Sequence, residues 1–210
     1  MSEVHRGGTD VGIDRGIFGG RPDAPDMGGA TLPIIHKAVV YLTRTDPATG
    51  SPHLVVFDHV DTPEAGTQVP AGTVEAGEDV ADAALREAFE ETGLAGIRLV
   101  AALGTEDVDL RPYGVEAIAR RHFFHATIDG AADVVAVANV DRDVDVDIMA
   151  SGSHAVPDRW HHVESDRSDG GPPVTFALRW APLASPPAIA AELGARLWMV
   201  QAALIPNIDD

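Results

Sequence analysis

Between Asp79 and Gly93 the sequence leaves little freedom of secondary structure. The pattern turns helical at Asp79, the residues from Val80 to Thr92 contain neither Pro nor Gly, and Gly93 is placed to end the run. Ala81, Leu85, Ala88 and Thr92 recur at three- and four-residue spacing, which predicts a helix over 79–92 with Leu85 in its buried stripe. Glu87, Glu90 and Glu91 sit at i, i+3 and i+4, the later two within about 60° of Glu87 and all three in an arc of about 100°. Leu85 and Ala88 lie roughly opposite, so the pattern aims the carboxylates at solvent or into a cleft. Three like charges on one face cost a few tenths of a kcal/mol per pair in water. A hard cation offsets that cost, and an all-oxygen donor set suits Mg²⁺ or Mn²⁺. Taken alone, an acidic helix face is more simply a solvated one.

The elements around this helix are mixed. Residues 1–30 are rich in Gly, Asp and Pro without periodicity and read as a flexible N-terminal arm, which leaves 31–210 as a single domain. Strand patterns fall at Ile34–Arg44 and Leu54–His59, a hairpin closed by DPATGSP, then at Ile97–Leu103, Ala117–Ile128 and Val174–Trp180. A further pair is expected at Val134–Val140 and Val144–Ile148, and a C-terminal helix at Ala188–Leu204. The segment Ser151–Val174 reads as loop. Many strands with few helices argue an α/β sandwich with a mixed β-sheet, not a regular alternation of parallel units.

Composition excludes several function classes. The 33 acidic residues against 15 basic give a formal charge of −18, which opposes long nucleic acid as a partner and leaves room for a small phosphate-bearing ligand where a cation or a few arginines reverse the field. With no cysteine there is no disulfide, thiolate metal site or cysteine nucleophile. No apolar run is long enough to span a bilayer and the N-terminus lacks a signal-peptide pattern, so the expectation is a cytoplasmic protein without membrane contact.

The loop before the helix gives the acidic face a meaning. The segment GTVEAGEDVADAALREAFEETGL, Gly72 to Leu94, resembles the Nudix box, with the fixed positions matched by Gly72, Glu78, Arg86, Glu87, Glu90, Glu91 and Gly93. Seven such matches arise by chance about once in a million chains of this length, which outweighs the solvated reading. Ala88 departs from the bulky aliphatic usual at its position. The stretches AGTQVPAGTVE, RRHFFHATI and PPVTFALRWAPL also look like Nudix hydrolase segments, so the resemblance spans most of 33–205.

The resemblance implies a Nudix-type α/β/α sandwich and metal-dependent hydrolysis of a phosphoanhydride bond in a nucleoside diphosphate linked to another moiety. ADP-ribose, dinucleoside polyphosphates, nucleotide sugars and nucleoside triphosphates are the substrate candidates. It implies Glu87, Glu90 and Glu91 as catalytic residues, and the same three with the Gly72 carbonyl as ligands to Mg²⁺ or Mn²⁺, with Glu87 either ligand or general base. Glu78 and Arg86 would be a structural pair. Relatives often add a later loop acid, for which Glu164 and Asp169 are the candidates here. Arg120, Arg121, Phe124 and Trp160 are candidates for substrate binding, although alternation on a strand lets only one arginine face substrate and a strand aromatic is more often core. A homodimer is an assembly common in the family. The competing reading from another class is a non-catalytic nucleotide-sensing module, which the full set of box acids opposes. An isoprenoid diphosphate isomerase is discounted for want of its catalytic cysteine.

Other constellations carry less. Asp141, Asp143, Asp145 and Asp147 begin like a calcium loop, but Val146 and Gly152 stand where Gly and Glu are needed. Strand spacing sends His122 and His125 to opposite faces, as it does His161 and His162, which opposes zinc coordination by either pair. Pro112 and Tyr113, side by side, point to different substrates by resemblance and decide nothing.

Overall fold

The computed structural model describes residues 31–128, 156–165 and 171–205. The N-terminal arm, the strand pair expected within 131–150, the Asp141–Asp147 series and Asp169 lie outside the described residues. The chain divides into two units, Met1–Leu32 and Pro33–Asp210, and the second is described here. In order it contains β1 (Ile34–Thr45), β2 (Pro52–His59), β3 (Ala71–Thr73), α1 (Val80–Thr92), β4 (Arg98–Asp109), β5 (Ile118–Thr127), β6 (Arg159–Glu164), β7 (Val174–Pro182) and α2 (Leu197–Leu204).

All strands join one mixed sheet in the order β4-β5-β1-β2-β7-β6, with β3 also paired to β1. The β1–β5 pair is parallel and the others antiparallel. One edge of β1 is shared: β3 pairs with its residues Lys37–Val39 and β2 with Thr43–Thr45. Strand alternation sorts the core into two layers. Ala38, Val40 and Leu42 of β1, with Phe124 and Ala126 of β5, pack under α1, while Val39, Tyr41 and Phe123 pack under Leu197 and Val200 of α2. A sheet covered by a helix on each face is the expected α/β/α sandwich.

Three expectations need correction. The buried stripe of α1 is Ala83, Ala84, Glu87, Ala88 and Thr92, with Leu85 only half-buried and outside the core clusters. Small side chains bring the helix close to the sheet and carry Glu87 inward, so the carboxylate face and the core face overlap. The C-terminal helix begins at Leu197, not Ala188. Before it, Ala191 and Glu192 adopt left-handed backbone (φ 53° and 61°), and the segment is held by Tyr41, whose hydroxyl donates to the Leu193 carbonyl at 2.7 Å, and by Arg121, which donates to the Ala191 carbonyl at 2.7 Å. Finally, Arg159–Glu164, expected as loop, is a strand on the sheet edge, and β4 continues through the polar stretch to Asp109.

Among the described residues no helix is long and apolar enough to cross a membrane. The packing of α1 predicts an unusual size dependence. Ala84→Leu, which forces a larger side chain between α1 and the sheet, should cost about 1–3 kcal/mol, whereas Leu85→Ala should cost about 1 kcal/mol or less. Urea denaturation of the two variants measures both.

Candidate active site

The site is built from a strand that lacks a side chain where the helix presents a carboxylate. Gly72 lies opposite Ala38 in the β1–β3 ladder and faces α1. A Cβ at Gly72 would come within 1.9 Å of Glu87 Oε2, so the Glu87 carboxylate rests on bare backbone. One turn later, Glu91 Oε2 accepts a hydrogen bond from the Ala71 N–H at 2.8 Å. Glu87 is 4% exposed. Glu91 is half-buried as a residue, with its carboxyl end enclosed. Glu90, partly exposed beside them, accepts from Arg86 Nη1 at 2.9 Å.

Arg86 serves the whole group. Its Nε and Nη2 donate to the two oxygens of Glu78 at 2.8 and 2.9 Å, Nη2 also donates to the Thr73 carbonyl at 2.9 Å, and Nη1 donates to Glu87 Oε1 at 2.9 Å as well as to Glu90. Glu78 is thereby drawn down to a pKa of about 2 and also accepts from the Glu75 N–H, which fixes the loop ahead of the helix. The arginine thus both ties loop to helix and supplies positive charge among the acids.

That one charge does not balance the cluster. Burial pushes the Glu87 carboxyl up to about 7 against the pull of Arg86, with Glu90 and Glu164 adding to the rise. Burial likewise raises Glu91 well above the ordinary carboxylate range, opposed by the Ala71 N–H and assisted by Glu87, Glu164 and Glu90. Glu164 therefore stands within electrostatic reach of both.

Strand β6 brings Glu164 there. Trp160, His162 and Glu164 alternate onto its helix-facing side. Trp160 Nε1 donates to the Thr92 carbonyl and His162 Nε2 to the Glu90 carbonyl, each at 2.8 Å, using groups the end of a helix leaves without helical partners. Gly93 makes room: its backbone is left-handed (φ 68°), and a Cβ there would approach His162 Nδ1 to 2.7 Å. The sequence spacing gave no sign of this strand, although alternate aromatic, His and Glu residues are its trace.

The substrate candidates separate. Phe124 is 8% exposed within the core under α1, and Trp160 is half-buried with its N–H committed to α1, so neither is positioned as a free stacking surface. Both side chains occupy the space between helix and sheet. Arg120 faces the α1 side and is gripped by Asp107, while Arg121 faces the α2 side toward Ala191 and Glu192. Tyr113, beside Pro112, is 71% exposed in a short turn. His125 hydrogen-bonds Thr43 inside the sheet. His122 instead contacts His36 of the neighbouring strand, a partner the sequence did not suggest.

The donor chemistry fits a hard divalent ion: oxygen donors only, buried carboxylates, and too little positive charge to compensate them. Glu87, Glu90 and Glu91 would hold it, with the Gly72 backbone adjacent. In the arrangement described, Arg86 engages Glu87 and Glu90 while Glu91 turns to Ala71, and among the described residues no three acidic or histidine side chains converge on one point.

The NUDIX domain model matches residues 35–165. The chain belongs to the Nudix family of pyrophosphohydrolases. Solved structures of similar fold include a Nudix hydrolase from M. smegmatis, RenU, at 15% identity and TM-score 0.50, covering 83% of this chain and 90% of that one. Also similar are an Ap4A hydrolase from C. elegans, at 18% identity and TM-score 0.48, covering 81% and 97%, and a MutT Nudix hydrolase from Burkholderia pseudomallei, at 21% and 0.44, covering 80% and 98%. Identities this low speak for the fold alone. No curated protein matches the chain in sequence. The Nudix box is thus the loop, β3 and α1 assembly in which Gly72 and Glu87 meet.

The burial of Glu87 in this box has a consequence for pH. Its carboxyl has the ordinary carboxylate value of 4.5 when unfolded and about 7 when folded. The folded state therefore binds the extra proton, giving a stability contribution fully present below about pH 4.5 and lost as pH rises through about 7. Glu87→Gln removes that dependence. In metal-free buffer, the stability lost between pH 5.5 and 8 should be smaller in the variant by about 1–3 kcal/mol, measured by chemical denaturation of both proteins at each pH.

Proposed function

We propose that this Nudix protein hydrolyses a phosphoanhydride bond in a nucleoside diphosphate linked to another moiety, at the carboxylates Glu87, Glu90 and Glu91, with Mg²⁺ or Mn²⁺ as the ion. The observation that carries this is the enclosed, under-compensated pair Glu87 and Glu91 against the backbone of Ala71 and Gly72. Two buried acids with raised pKa values cost stability and gain nothing structural from being charged. A bound divalent ion would supply Lewis-acid stabilisation of the phosphoryl oxygens and a more acidic water.

The protein's own groups do the rest. Glu87, with a carboxyl close to neutrality in its acidity, is suited to take a proton from water at physiological pH. Glu90 and Glu91 supply ligand charge, and Glu164 adds a fourth carboxylate from the β6 side, the role assigned here to the additional acid. Arg86 and Glu78 hold loop and helix in register, so the site keeps its shape when charge on it changes. The sensing module finds no support, because every acid of the box is present, with Glu87 and Glu90 sharing the Arg86 guanidinium beside the enclosed Glu91.

Glu91→Gln should retain the fold and lower turnover by at least about a hundredfold, since it removes a ligand charge without opening a cavity. The measurement is phosphate release from ADP-ribose, diadenosine polyphosphates, nucleotide sugars and nucleoside triphosphates with Mg²⁺ or Mn²⁺, alongside a thermal melt. Undiminished activity in the variant would sink the assignment, and wild-type inactivity across the panel would sink the function.

A further inference from the structure

The face of the sheet beneath α1 continues beyond the helix toward the starts of β1 and β5. Across that part of the sheet, Gly72 of β3, Ala38 of β1, His122 of β5 and Thr105 of β4 are paired in one row. Paired residues on neighbouring strands share a face, so His122 stands on the side where Gly72 meets Glu87. His36 precedes Ala38 by two residues and joins it there. Its Nδ1 lies 2.9 Å from His122 Nε2, with the rings stacked at 5.2 Å between centroids. Arg120, two residues before His122, projects to the same side. Asp107 grips its Nε and Nη2 at 2.7 Å each, fixing the guanidinium while leaving Nη1 without a partner among the described residues.

This cluster has no packing purpose. His36 is exposed and His122 half-exposed, and a hydrogen bond between two imidazoles in reach of water contributes little. It is nonetheless a patch of two imidazoles and an oriented guanidinium in a chain of charge −18. The distance from Gly72 to His122 is two strand spacings, about 10 Å. A diphosphate centred on the carboxylates does not reach that far, and one or two further phosphoryl groups do.

We propose that His36, His122 and Arg120 bind a phosphoryl group of the substrate beyond the pair that flanks the hydrolysed bond, so that the preferred class is nucleotides with three or more phosphates rather than diphosphates linked to a sugar. This rests on reading the carboxylate cluster as the hydrolytic centre. An incoming phosphate oxygen replaces one imidazole as the acceptor and lets the pair take up a proton, giving charge-assisted hydrogen bonds where a neutral one stood. His122, whose pKa is held down by burial and then by the charges of His36 and Arg120, gains most from such a counter-ion. Asp107 opposes the patch only in part, because its charge is spent on Arg120.

The test pairs kinetics with binding. In the double variant His36→Gln, His122→Gln, checked for folding by circular dichroism and thermal melt, kcat/KM for ATP or diadenosine tetraphosphate should fall by about tenfold through KM. Selectivity for these substrates over ADP-ribose should fall with it. Wild-type preference for ADP-ribose, or selectivity unchanged in the double variant, overturns the proposal. Independently of turnover, imidazole ¹⁵N spectra of the wild type with Mg²⁺ should show His36 and His122 shifting on addition of an ATP analogue with methylene in both phosphate bridges, and not with α,β-methylene ADP. No saturable shift overturns the proposal. A shift in a protein that hydrolyses nothing upholds the binding site while sinking the hydrolytic reading.

Discussion

The contact on which the site depends is that between the Glu87 carboxylate and the backbone of Gly72. It requires a residue without a side chain on β3 and a helix lying close above it. The second condition is met by Ala83, Ala84 and Ala88, which form the buried stripe of α1 where larger residues would hold the helix off the sheet. A domain of this size has apolar surface enough elsewhere, in Val39, Tyr41, Phe123, Phe57 and Phe176, to tolerate a poor hydrophobic contact here. What α1 forgoes in buried carbon it gives to placing two acids in a protected position. Arg86 keeps that position occupied by partial compensation, since an unpaired buried carboxylate would be far more costly.

Topology explains why these groups lie over the sheet and not beside it. Parallel strands cannot be joined by a tight turn. Between β1 and its parallel neighbour β5 the chain runs through β2, β3, α1 and β4, and this crossover lays the box loop and the helix on one face. β1 then serves two partners along a single edge, so β3 can end within a few residues and leave the chain free to turn into the helix. From the other side β6 is pinned to the last turn of α1 by Trp160 and His162, which carries Glu164 toward Glu87 and Glu91. The acids therefore come from a helix and a strand distant in sequence, held by backbone carbonyls that a helix end always leaves open.

Much of this was legible before the fold was known, and the failures share a cause. The helix and its Gly93 stop follow from local preferences and the shared face of the three acids from spacing, while Gly72, Glu78 and Arg86 follow from the resemblance to the Nudix box. The orientation of α1 did not follow, because a hydropathy pattern gives weight to Leu85 and none to Glu87, while the real buried stripe is alanine and glutamate. β6 was invisible for a related reason: RWHHVE alternates, but its inward residues Trp160 and His162 make hydrogen bonds to α1, and of the two only Trp160 also packs against the core. Phe124 reads as a stacking candidate but more often as core, and it does lie in the core under α1, although a strand pattern cannot say which segment of a face a helix will cover. The same uncertainty hid the pairing of His36 with His122, which lie on the part of that face that α1 does not cover and come together through the parallel register of β1 and β5.

The excess of acid in the chain bears on how any anion is bound. Arg44, Arg86, Arg111, Arg120, Arg121 and Arg179 each face at least one carboxylate, so most of their charge is already spent. A polyanion arriving from solution meets repulsion over most of the surface and finds little guanidinium to relieve it. Attraction has to be created where the ligand binds. Two kinds of group can do so: carboxylates that accept a divalent ion, and imidazoles that accept a proton. Both are present on the α1 face, the first enclosed beneath the helix and the second on the open sheet in the row that includes Gly72. Each becomes positive, or less negative, only when the medium or the ligand provides the cation. The field over the rest of the molecule then works in favour of selectivity, since a long polyanion cannot confine its charge to that face and a small nucleotide can.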